Sequence, residues 1–476
     1  MAPLVVGFDL DMTLIDSRPG IGAVWRALAQ ETGVDVDVDL VTSRLGPPLD
    51  EELVQWFPAE QVAALGDRFR ELYPSLAIAP TLALPGAREA IDAVRAHGGR
   101  VVVVTGKYEP NARLHLEHLG IEVDEVVGWH WGPAKGEALR ERGASVYVGD
   151  HLGDVRGARV AGAFCVGVAT GPIPADELAA AGADVVLPDL TGFPDWLAAH
   201  LLGSRLESLD EALRQAGSVL VAFSGGADSA FLLAAAARAL GPEHVVAATA
   251  RSSSLPTAEL AAARAVVDEV GVRHVVVDTA EHEREGYRAN AGDRCFFCKA
   301  ELLDVLGPLA AELGLAAVAT GTNADDVVAG FRPGIRAAAE RGALTPLADA
   351  GLTKAQVRAA SRAWGLSTWD KPAAACLASR VAYGVEVTPS RLARVERAEV
   401  ALRAALAEAG HQVRDLRVRD LGDLARVEVD AALVEAITGP ALEAVRGAGF
   451  ADVEVDPRGF RSGAMNELLP EPERYR

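Results

Sequence analysis

The sequence predicts an α/β protein with two parallel-sheet domains and a small α+β domain in its C-terminal part. Strand-like apolar runs alternate with helical patterns through most of the chain, which is typical of parallel sheets covered by helices. At 476 residues, the chain is also too long for one hydrophobic core. We therefore expect two Rossmann-like sheets, built from the runs Leu4–Phe8, Arg100–Val104, Val146–Val148, Phe164–Val168, Val219–Phe223, Val245–Ala250, His274–Val277 and Leu315–Ala319.

Changes of pattern along the chain predict three domains. The first spans residues 1–203, and its strand-free helical stretch at about 18–79 is expected to form a cap. The second spans residues 204–388. The third spans residues 389–476, where a helical pattern at Arg391–Ala409 precedes strand-like runs at Leu416–Val418, Ala425–Val429 and Asp452–Val455.

Composition narrows the classes of function. Half of the residues are hydrophobic and 24% are charged, which predicts a globular protein. The net charge of −21 disfavours nucleic acid as a partner, because phosphate contacts need Lys and Arg. No apolar run approaches the roughly 20 residues of a membrane helix. Asp9 and Asp11 come too early for a signal peptide, so we expect a cytoplasmic location.

Polar residues that suit phosphoryl transfer follow several strands of the first domain. Asp9 and Asp11 lie directly after the first strand, and Thr105 ends another. Lys135 lies in Gly-Pro-Ala-Lys, and Asp150 and Asp154 lie in Gly-Asp-His-Leu-Gly-Asp. Transfer of a phosphoryl group needs a nucleophile, cations to offset the charge of the transition state, and a positioned proton donor.

In this order, the motifs resemble those of haloacid-dehalogenase-type (HAD-like) hydrolases, with a cap similar to that of phosphoglycolate-phosphatase-like members. The resemblance implies that Asp9 attacks phosphorus, that Asp11 is the general acid/base, that Thr105 and Lys135 bind the phosphoryl group, and that Asp9, Asp11, Asp150 and Asp154 hold Mg²⁺. It also implies a small phosphorylated substrate. The alternatives are an inactive copy of such an enzyme and a set of unrelated surface acids. Trp129, His130 and Trp131 could line the site, but we expect them to pack in the core, and we expect His115 and His118 to lack a third zinc ligand.

The run from Val219 to Ser229 predicts an anion-binding turn in the second domain. A strand leads into Ser224-Gly225-Gly226-Ala-Asp228-Ser229, and a helical pattern follows. The glycines let backbone N–H groups approach an anion, the helix N-terminus adds positive charge, the hydroxyls can donate to phosphate and Asp228 can hold Mg²⁺. No Gly-Lys-Ser/Thr follows, so the turn differs from the phosphate loop of ordinary NTPases. It resembles the PP-loop of ATP pyrophosphatases, which implies ATP as a substrate; the alternative is a plain glycine turn.

Further motifs after this turn contain three thiols. Cys295 and Cys298 lie in Arg-Cys-x-x-Cys-Lys at the start of a helical pattern, where the positive helix end favours thiolates. Gly321 begins Gly-Thr-Asn-Ala-Asp-Asp after a strand, and Cys376 begins Cys-Leu-Ala-Ser379-Arg380. Arg-Ser-Gly-x-x-Asn follows at residues 461–466.

From about Arg205 to Glu467, this set resembles the LarE family of ATP-dependent sulfur transferases. The resemblance implies that ATP adenylates a carboxylate of pyridinium-3,5-biscarboxylate mononucleotide, and that sulfur then displaces AMP during synthesis of the nickel-pincer nucleotide. Ser224, Gly225, Gly226, Asp228, Ser229, Gly321, Ser379 and Arg380 match the family's nucleotide site. Arg417 and Arg419 match its arginines for the substrate phosphate, and Glu399 and Glu428 match nearby carboxylates; each of these four could equally be a surface charge.

The source of sulfur divides this family. One subclass sacrifices a cysteine at the position of Ala375. Here Cys295, Cys298 and Cys376 match the version that holds a [4Fe-4S] cluster, in which three thiols leave one iron open to sulfide. The alternatives are Cys376 as the sacrificial sulfur donor and a zinc site that lacks its fourth ligand.

Other functions of the second domain stay open at this point. They are another adenylating PP-loop enzyme, for tRNA thiolation or amide synthesis, and a protein that binds nucleotide without turnover. A glutamine-fed synthetase would carry a glutaminase domain, and the net charge disfavours tRNA. We expect small nucleotides and phosphorylated metabolites as substrates, no membrane partner, and other nickel-pincer enzymes or further copies of the chain as candidate protein partners.

Overall fold

The computed structural model describes residues 3–46, 48–329, 332–372 and 375–461. The chain divides after Leu201 into two compact units. Among the described residues, no helix is both long and apolar enough to cross a membrane.

The first unit contains a parallel sheet, a two-stranded ribbon and helices. Its strands are β1 (Val5–Phe8), β2 (Ile15–Asp16), β3 (Leu82–Ala83), β4 (Arg100–Val104), β5 (Glu125–Val127), β6 (Val146–Gly149), β7 (Phe164–Val168) and β8 (Val185–Leu187). Its helices are α1 (Arg18–Thr32), α2 (Val38–Ser43), α3 (Leu49–Leu53), α4 (Ala59–Leu76), α5 (Ala87–Ala96), α6 (Glu109–Leu119), α7 (Pro133–Glu141), α8 (Leu152–Ala161), α9 (Ala175–Ala181) and the start of α10 (Phe193–Ala216).

The main sheet of this unit has the parallel order β5-β4-β1-β6-β7-β8. Phe8 lies opposite Val103 on one side and opposite Val148 on the other. Successive strand residues enter separate apolar clusters, with Val6 in one and Val5 in the other. Apolar residues on both faces are what a parallel sheet covered by helices requires.

Four helices, α1 to α4, form the cap between β2 and β3. These two strands pair antiparallel, with Ile15 opposite Ala83. The cap has its own apolar cluster, in which the rings of Trp25 and Phe69 lie 5.7 Å apart, edge to face. The helical stretch predicted from the sequence is thus a packed element with its own core.

The second unit contains two further sheets. Its strands are β9 (Val219–Ala222), β10 (Val245–Arg251), β11 (Arg273–Asp278), β12 (Ala317–Thr320), β13 (Leu416–Asp420), β14 (Leu424–Val429) and β15 (Asp452–Val455). After α10, its helices are α11 (Ala227–Leu240), α12 (Thr257–Val270), α13 (Glu285–Arg288), α14 (Arg294–Glu312), α15 (Ala324–Val328), α16 (Pro333–Glu340), α17 (Pro346–Asp349), α18 (Lys354–Ala363), α19 (Pro389–Glu408) and α20 (Gly439–Gly447).

The larger of these sheets has the parallel order β11-β10-β9-β12. The smaller sheet joins β13 and β14 antiparallel and β14 and β15 parallel. Helix α19 packs on it through Leu392, Val395 and Leu402, in a cluster that includes Val418 and Val427 of the sheet. Two parallel α/β sheets and a small α+β part confirm the predicted fold class, while the boundaries of the three domains stay predictions.

Candidate active sites

One edge of the first sheet gathers most of the polar residues predicted for phosphoryl transfer. Asp9 follows β1, Thr105 follows β4 and Asp150 follows β6. Because these strands are parallel and adjacent, their carboxyl ends meet at the same edge. Lys135 lies in the first turn of α7 and Asp154 in the first turn of α8.

Three buried carboxylates at this edge form a candidate metal centre. Asp9, Asp150 and Asp154 each place a ligand atom within 4.8 Å of the others. Lys135 Nζ lies 2.9 Å from Asp9 Oδ1 and donates to Asp154 Oδ1 at 2.6 Å. Burial, together with the neighbouring carboxylates, raises the pKa of Asp9 to about 7 and raises the pKa of Asp150 well above its ordinary value. Such crowded oxygen ligands fit Mg²⁺, whose charge would relieve their repulsion.

Asp11 was predicted as a fourth magnesium ligand, and the structure places its carboxylate elsewhere. The turn after Asp9 puts Met12 in the left-handed region, at φ 59°. The Asp11 carboxylate then lies 3.0 Å from Lys107 Nζ. Burial acts to raise the pKa of Asp11, but the charge of Lys107 and smaller contributions from Ser17 and His115 together outweigh it, and the pKa is lowered. Asp11 is therefore paired with a lysine and does not belong to the metal cluster.

Sequence analysis did not assign Lys107, Tyr73 and His115 to this site. Lys107 Nζ donates to the hydroxyl of Tyr73 at 2.6 Å, and that hydroxyl lies 3.0 Å from His115 Nε2. Tyr73 comes from cap helix α4, so its position depends on the fold of the cap. Of these three residues, only Lys107 lies close to a predicted motif, two residues after Thr105.

A cavity of about 260 Å³ opens beside the candidate metal centre, with Asp9 and Asp150 in its lining. Asp9, directly after β1, and Lys135, in the first turn of α7, line it on one side, and Arg44, Arg70 and Tyr73 line it from the cap. Trp129 also lines it and is 61% exposed, so the expected core position of this side chain is wrong. Its position after β5 sets it at the sheet edge rather than inside.

The glycine turn of the second unit has the predicted strand–turn–helix setting. It joins β9 to α11, and Gly225 has φ 72°, a conformation that favours glycine. Ser224 Oγ and Ser229 Oγ lie 3.1 Å apart. The turn at a helix N-terminus fits the phosphates of ATP. Asp228, predicted to hold Mg²⁺, contacts Lys354 Nζ, a partner that the sequence did not indicate.

Gly321 packs directly on this turn. A Cβ atom at Gly321 would lie 2.8 Å from the backbone nitrogen of Ser229. Glycine is therefore required sterically, because the end of β12 approaches the start of α11 too closely for a side chain. This contact brings the predicted Gly-Thr-Asn motif to the candidate nucleotide site.

Two thiols share a cavity with the turn. The cavity measures about 350 Å³, and Ser224, Asp228, Gly321, Cys298 and Cys376 all line it. Cys298 lies in α14, and Cys376 lies immediately before a 3₁₀ turn at Leu377–Arg380. The cavity thus combines a candidate phosphate site with sulfur atoms.

Arg294 links the start of α14 to the segment after Cys376. It is buried, and its guanidinium donates to the carbonyl oxygen of Ala378 at 2.8 Å. Cys295, the next residue, is exposed. One buried guanidinium thus ties together the two segments that carry the three thiols.

The expectation of thiolates at this helix start is wrong for the metal-free protein. Burial raises the pKa of Cys298, and the neighbouring Cys376 and the carboxylate of Glu281 act in the same direction. Desolvation therefore outweighs the positive helix end.

Glu281 is a buried carboxylate of this cavity that sequence analysis missed. Ser254 donates to its Oε1 at 2.8 Å and Thr279 donates to its Oε2 at 3.0 Å. The two hydroxyls fix its orientation towards the thiols.

A further cavity of about 880 Å³ is lined by the two neighbours of Cys376 rather than by Cys376 itself. Ala375 and Leu377 line it, together with Arg380, Glu399 and Arg417. Arg380 Nε donates to Glu399 Oε1 at 2.9 Å, and Ser379 Oγ donates to the carbonyl oxygen of Cys376 at 2.7 Å. This cavity collects charged residues that the LarE resemblance singled out.

Arg419 and Arg417, the two arginines predicted to bind the substrate phosphate, differ in their surroundings. Arg419 is buried, and its Nη2 donates to Glu428 Oε2 at 2.7 Å. Glu428 therefore neutralises Arg419, whereas Arg417 lines the open cavity. Residues 462–466 of the predicted Arg-Ser-Gly-x-x-Asn motif lie outside the described residues.

Comparison with known families gives separate matches for the two parts of the chain. A sequence model of haloacid dehalogenase-like hydrolases matches residues 6–159, and a HAD-hydrolase-like model matches residues 130–193. A model described as asparagine synthase matches residues 205–435.

Three curated relatives agree with this division. The pyridinium-3,5-bisthiocarboxylic acid mononucleotide synthase of Lactiplantibacillus plantarum is 33% identical over 276 residues, which cover 56% of this chain and 96% of that protein. An uncharacterized Synechocystis protein is 40% identical over 274 residues, covering 56% of this chain and 99% of its own length. The phosphoglycolate phosphatase of Rhodospirillum rubrum is 30% identical over 220 residues, covering 41% of this chain and 91% of that enzyme.

Proposed function

We propose that this protein, which belongs in its first part to the haloacid dehalogenase-like hydrolases and in its second part to the LarE family of pyridinium-3,5-bisthiocarboxylic acid mononucleotide synthases, is a bifunctional enzyme. The first part hydrolyses a small phosphomonoester in the presence of Mg²⁺. The second part uses ATP to transfer sulfur to the carboxylates of pyridinium-3,5-biscarboxylate mononucleotide.

The phosphatase proposal rests on the position of Lys135 between Asp9 and Asp154. An oxygen of Asp9 attacks phosphorus and the ester P–O bond breaks, while the leaving alcohol oxygen takes a proton from Asp11. Lys135 and Thr105 stabilise the charge of the phosphoryl group. Water then hydrolyses the aspartyl-phosphate, with Asp11 as proton acceptor. Lys107 supports that role because it favours the ionised form of Asp11. Magnesium held by Asp9, Asp150 and Asp154 would supply further positive charge at the phosphoryl oxygens.

Replacement of the nucleophile tests this proposal. Asp9→Asn keeps the shape of the side chain and removes its charge, so phosphate release from the best substrate should fall by about three orders of magnitude or more. Steady-state phosphate assays with and without Mg²⁺ measure the effect. Retention of most activity by the variant would show that Asp9 is not the nucleophile.

The sulfur-transfer proposal rests on the cavity that contains both the glycine turn and two thiols. In the proposed reaction, a substrate carboxylate oxygen attacks the α-phosphorus of ATP and pyrophosphate leaves. Ser224, Gly225, Gly226 and Ser229 bind the phosphates, and Asp228, which contacts Lys354, would hold Mg²⁺. Sulfur then attacks the acyl carbon and AMP leaves with the carboxylate oxygen.

The position of Cys376 supports transfer of sulfur from the cavity of the glycine turn to a substrate in the larger cavity. Cys376 lines the cavity of the glycine turn, whereas its neighbours Ala375 and Leu377 line the larger cavity with Arg417. A substrate whose phosphate is bound by Arg417 could therefore place its pyridinium carboxylates beside this segment. Arg380 and Ser379 hold the segment in place through the carbonyl oxygen of Cys376.

We further propose that Cys295, Cys298 and Cys376 hold a [4Fe-4S] cluster. Arg294 ties their two segments together. Three thiols on one zinc ion need sulfur atoms roughly 4 Å apart, given Zn–S bonds of about 2.3 Å. Within the ranges that the structure covers, the acidic cluster around Asp9 is the one group of three ligands closer than 4.8 Å. The three thiols do not form such a group among the described residues, which favours a larger cluster over a single zinc ion. A cluster on three cysteines would supply an iron open to sulfide.

Anaerobic reconstitution with iron and sulfide tests the sulfur source. The protein should gain a broad brown absorbance and about four irons per chain. Replacement of any one of the three cysteines by Ala should remove the colour and sulfur transfer while ATP still binds. Loss of one sulfur from Cys376 during a single turnover, without any cluster, would establish the sacrificial mechanism instead.

A further inference from the structure

Trp129 has two properties that packing does not explain. Its φ is 62°, in a region that residues with bulky side chains rarely adopt, and its side chain is 61% exposed. A strained backbone at an exposed aromatic residue costs free energy without gaining burial. Strain of this kind is found most often where a side chain contacts a ligand.

Backbone hydrogen bonds to the segment that follows β4 hold Trp129 in this conformation. Its N–H donates to the carbonyl oxygen of Lys107 at 3.0 Å, and the N–H of the next residue, His130, donates to the carbonyl oxygen of Thr105 at 3.0 Å. A Cβ atom at Gly128 would lie 2.6 Å from the backbone nitrogen of Glu109, so this segment lies tightly against α6. The indole is therefore held at a defined place relative to the predicted phosphoryl-binding residues.

The indole is part of a small aromatic and cationic surface. The ring of Tyr108, itself 38% exposed, lies 5.5 Å away at a steep angle. The guanidinium of Arg70, from cap helix α4, lies 5.8 Å from the indole centroid. All three side chains line the same cavity as Asp9. Because Asp9 is buried and Trp129 is exposed, they mark the inner and outer ends of that cavity.

We propose that Trp129, Tyr108 and Arg70 bind the planar ring of the phosphatase substrate, and that this substrate is a mononucleotide or a similar phosphomonoester with a heteroaromatic ring. This inference rests on the proposed phosphatase activity. The phosphate lies at Asp9, a sugar-sized spacer crosses the cavity, and the ring stacks on the exposed indole. Stacking on aromatic side chains and cation–π contacts with Arg are general means of binding nucleobases.

Two phosphate esters, one with a nucleobase and one without, test this inference. Ribose 5-phosphate and cytidine 5′-monophosphate carry the same phosphate ester, and only the second carries a planar base. The protein with Mg²⁺ should hydrolyse the nucleotide with a kcat/KM at least about tenfold higher, a factor within the range for stacking of one base. Trp129→Phe should keep this ratio. Trp129→Asn, whose new side chain tolerates the left-handed backbone, should reduce it to near one.

A control variant and two further outcomes distinguish failure of the proposed ring binding from failure of the proposed phosphatase activity. Leu114→Ala, at an exposed position of α6, should leave both rates unchanged. Equal kcat/KM values for the two esters in the unaltered protein, or a ratio that Trp129→Asn does not change, would overturn the inference and leave the phosphatase in place. Absence of Asp9-dependent hydrolysis of every ester would overturn both.

Discussion

Each of three lysines pairs with a carboxylate that the sequence had assigned to a site. Lys135 contacts Asp9 and Asp154, Lys107 contacts Asp11, and Lys354 contacts Asp228. For Asp9 and Asp154, burial makes a lone charge costly, so the cation of Lys135 stabilises them, whereas Asp11 and Asp228 are only partly buried. Lys135 was expected from its motif, whereas Lys354 comes from a helix far along the chain and had no local signal.

His115 leads to a prediction on pH dependence. Burial, with the nearby charge of Lys107, lowers the pKa of His115 to about 3. The unfolded chain binds this proton near the ordinary pKa of about 6.5, so the free energy of unfolding of the first unit should fall as the pH decreases from 6.5 towards 3. Between about pH 6.5 and about pH 5, the loss from this residue is about 2 kcal/mol.

The variant His115→Gln isolates that contribution. It cannot take up the proton and it can still hydrogen-bond to Tyr73, so its stability should depend less on pH than that of the unaltered protein. Urea unfolding near neutral pH and near pH 5, followed in both proteins, measures the difference. Equal losses on acidification would show that His115 is not held neutral by the fold.

Among the elements, long apolar strands could be predicted closely and short edge strands could not. The runs Arg100–Val104 and Phe164–Val168 coincide with β4 and β7. The three-residue strands β5 and β8 lie at the two edges of the first sheet and were missed, because a run of three residues has too few apolar positions to show a pattern. The motif residues at strand ends were predictable, whereas Tyr73 and Glu281 reach their sites only through tertiary packing.

The close contact between the end of β12 and the start of α11 predicts that a side chain at Gly321 disturbs the nucleotide site. In Gly321→Ala, the added methyl group would meet the backbone at Ser229 and displace the glycine turn. ATP-dependent pyrophosphate release should fall by about tenfold or more, since small displacements in a site have large kinetic effects. Gly307→Ala in α14, where a Cβ would meet no atom within 4 Å, is the matched control and should keep normal activity. A fully active Gly321→Ala protein would contradict the steric account.

For the whole molecule, two compact units with separate apolar cores and separate cavities predict independent activities. Asp228→Ala should abolish ATP-dependent adenylation and leave phosphate release nearly unchanged. Asp9→Asn should have the opposite effect. Parallel assays of pyrophosphate and phosphate on both variants measure this, and loss of both activities in either variant would reveal one cooperative structure.

The fusion also brings together two chemistries of phosphorylated small molecules. Sulfur transfer acts on a mononucleotide in the proposed reaction, and the aromatic surface at Trp129 is proposed to bind a mononucleotide in the cavity of the first unit. The two sites could therefore act on related compounds, which neither site's motifs indicated alone.

Mass spectrometry of the product tests the central claim most directly. The anaerobically reconstituted protein, supplied with ATP, Mg²⁺, sulfide and pyridinium-3,5-biscarboxylate mononucleotide, should replace carboxylate oxygen by sulfur and release AMP and pyrophosphate. With Asp228→Ala, none of these products should form, whereas phosphatase activity remains. Hydrolysis of ATP without any thiocarboxylate product, or no ATP turnover with this substrate, would contradict the account.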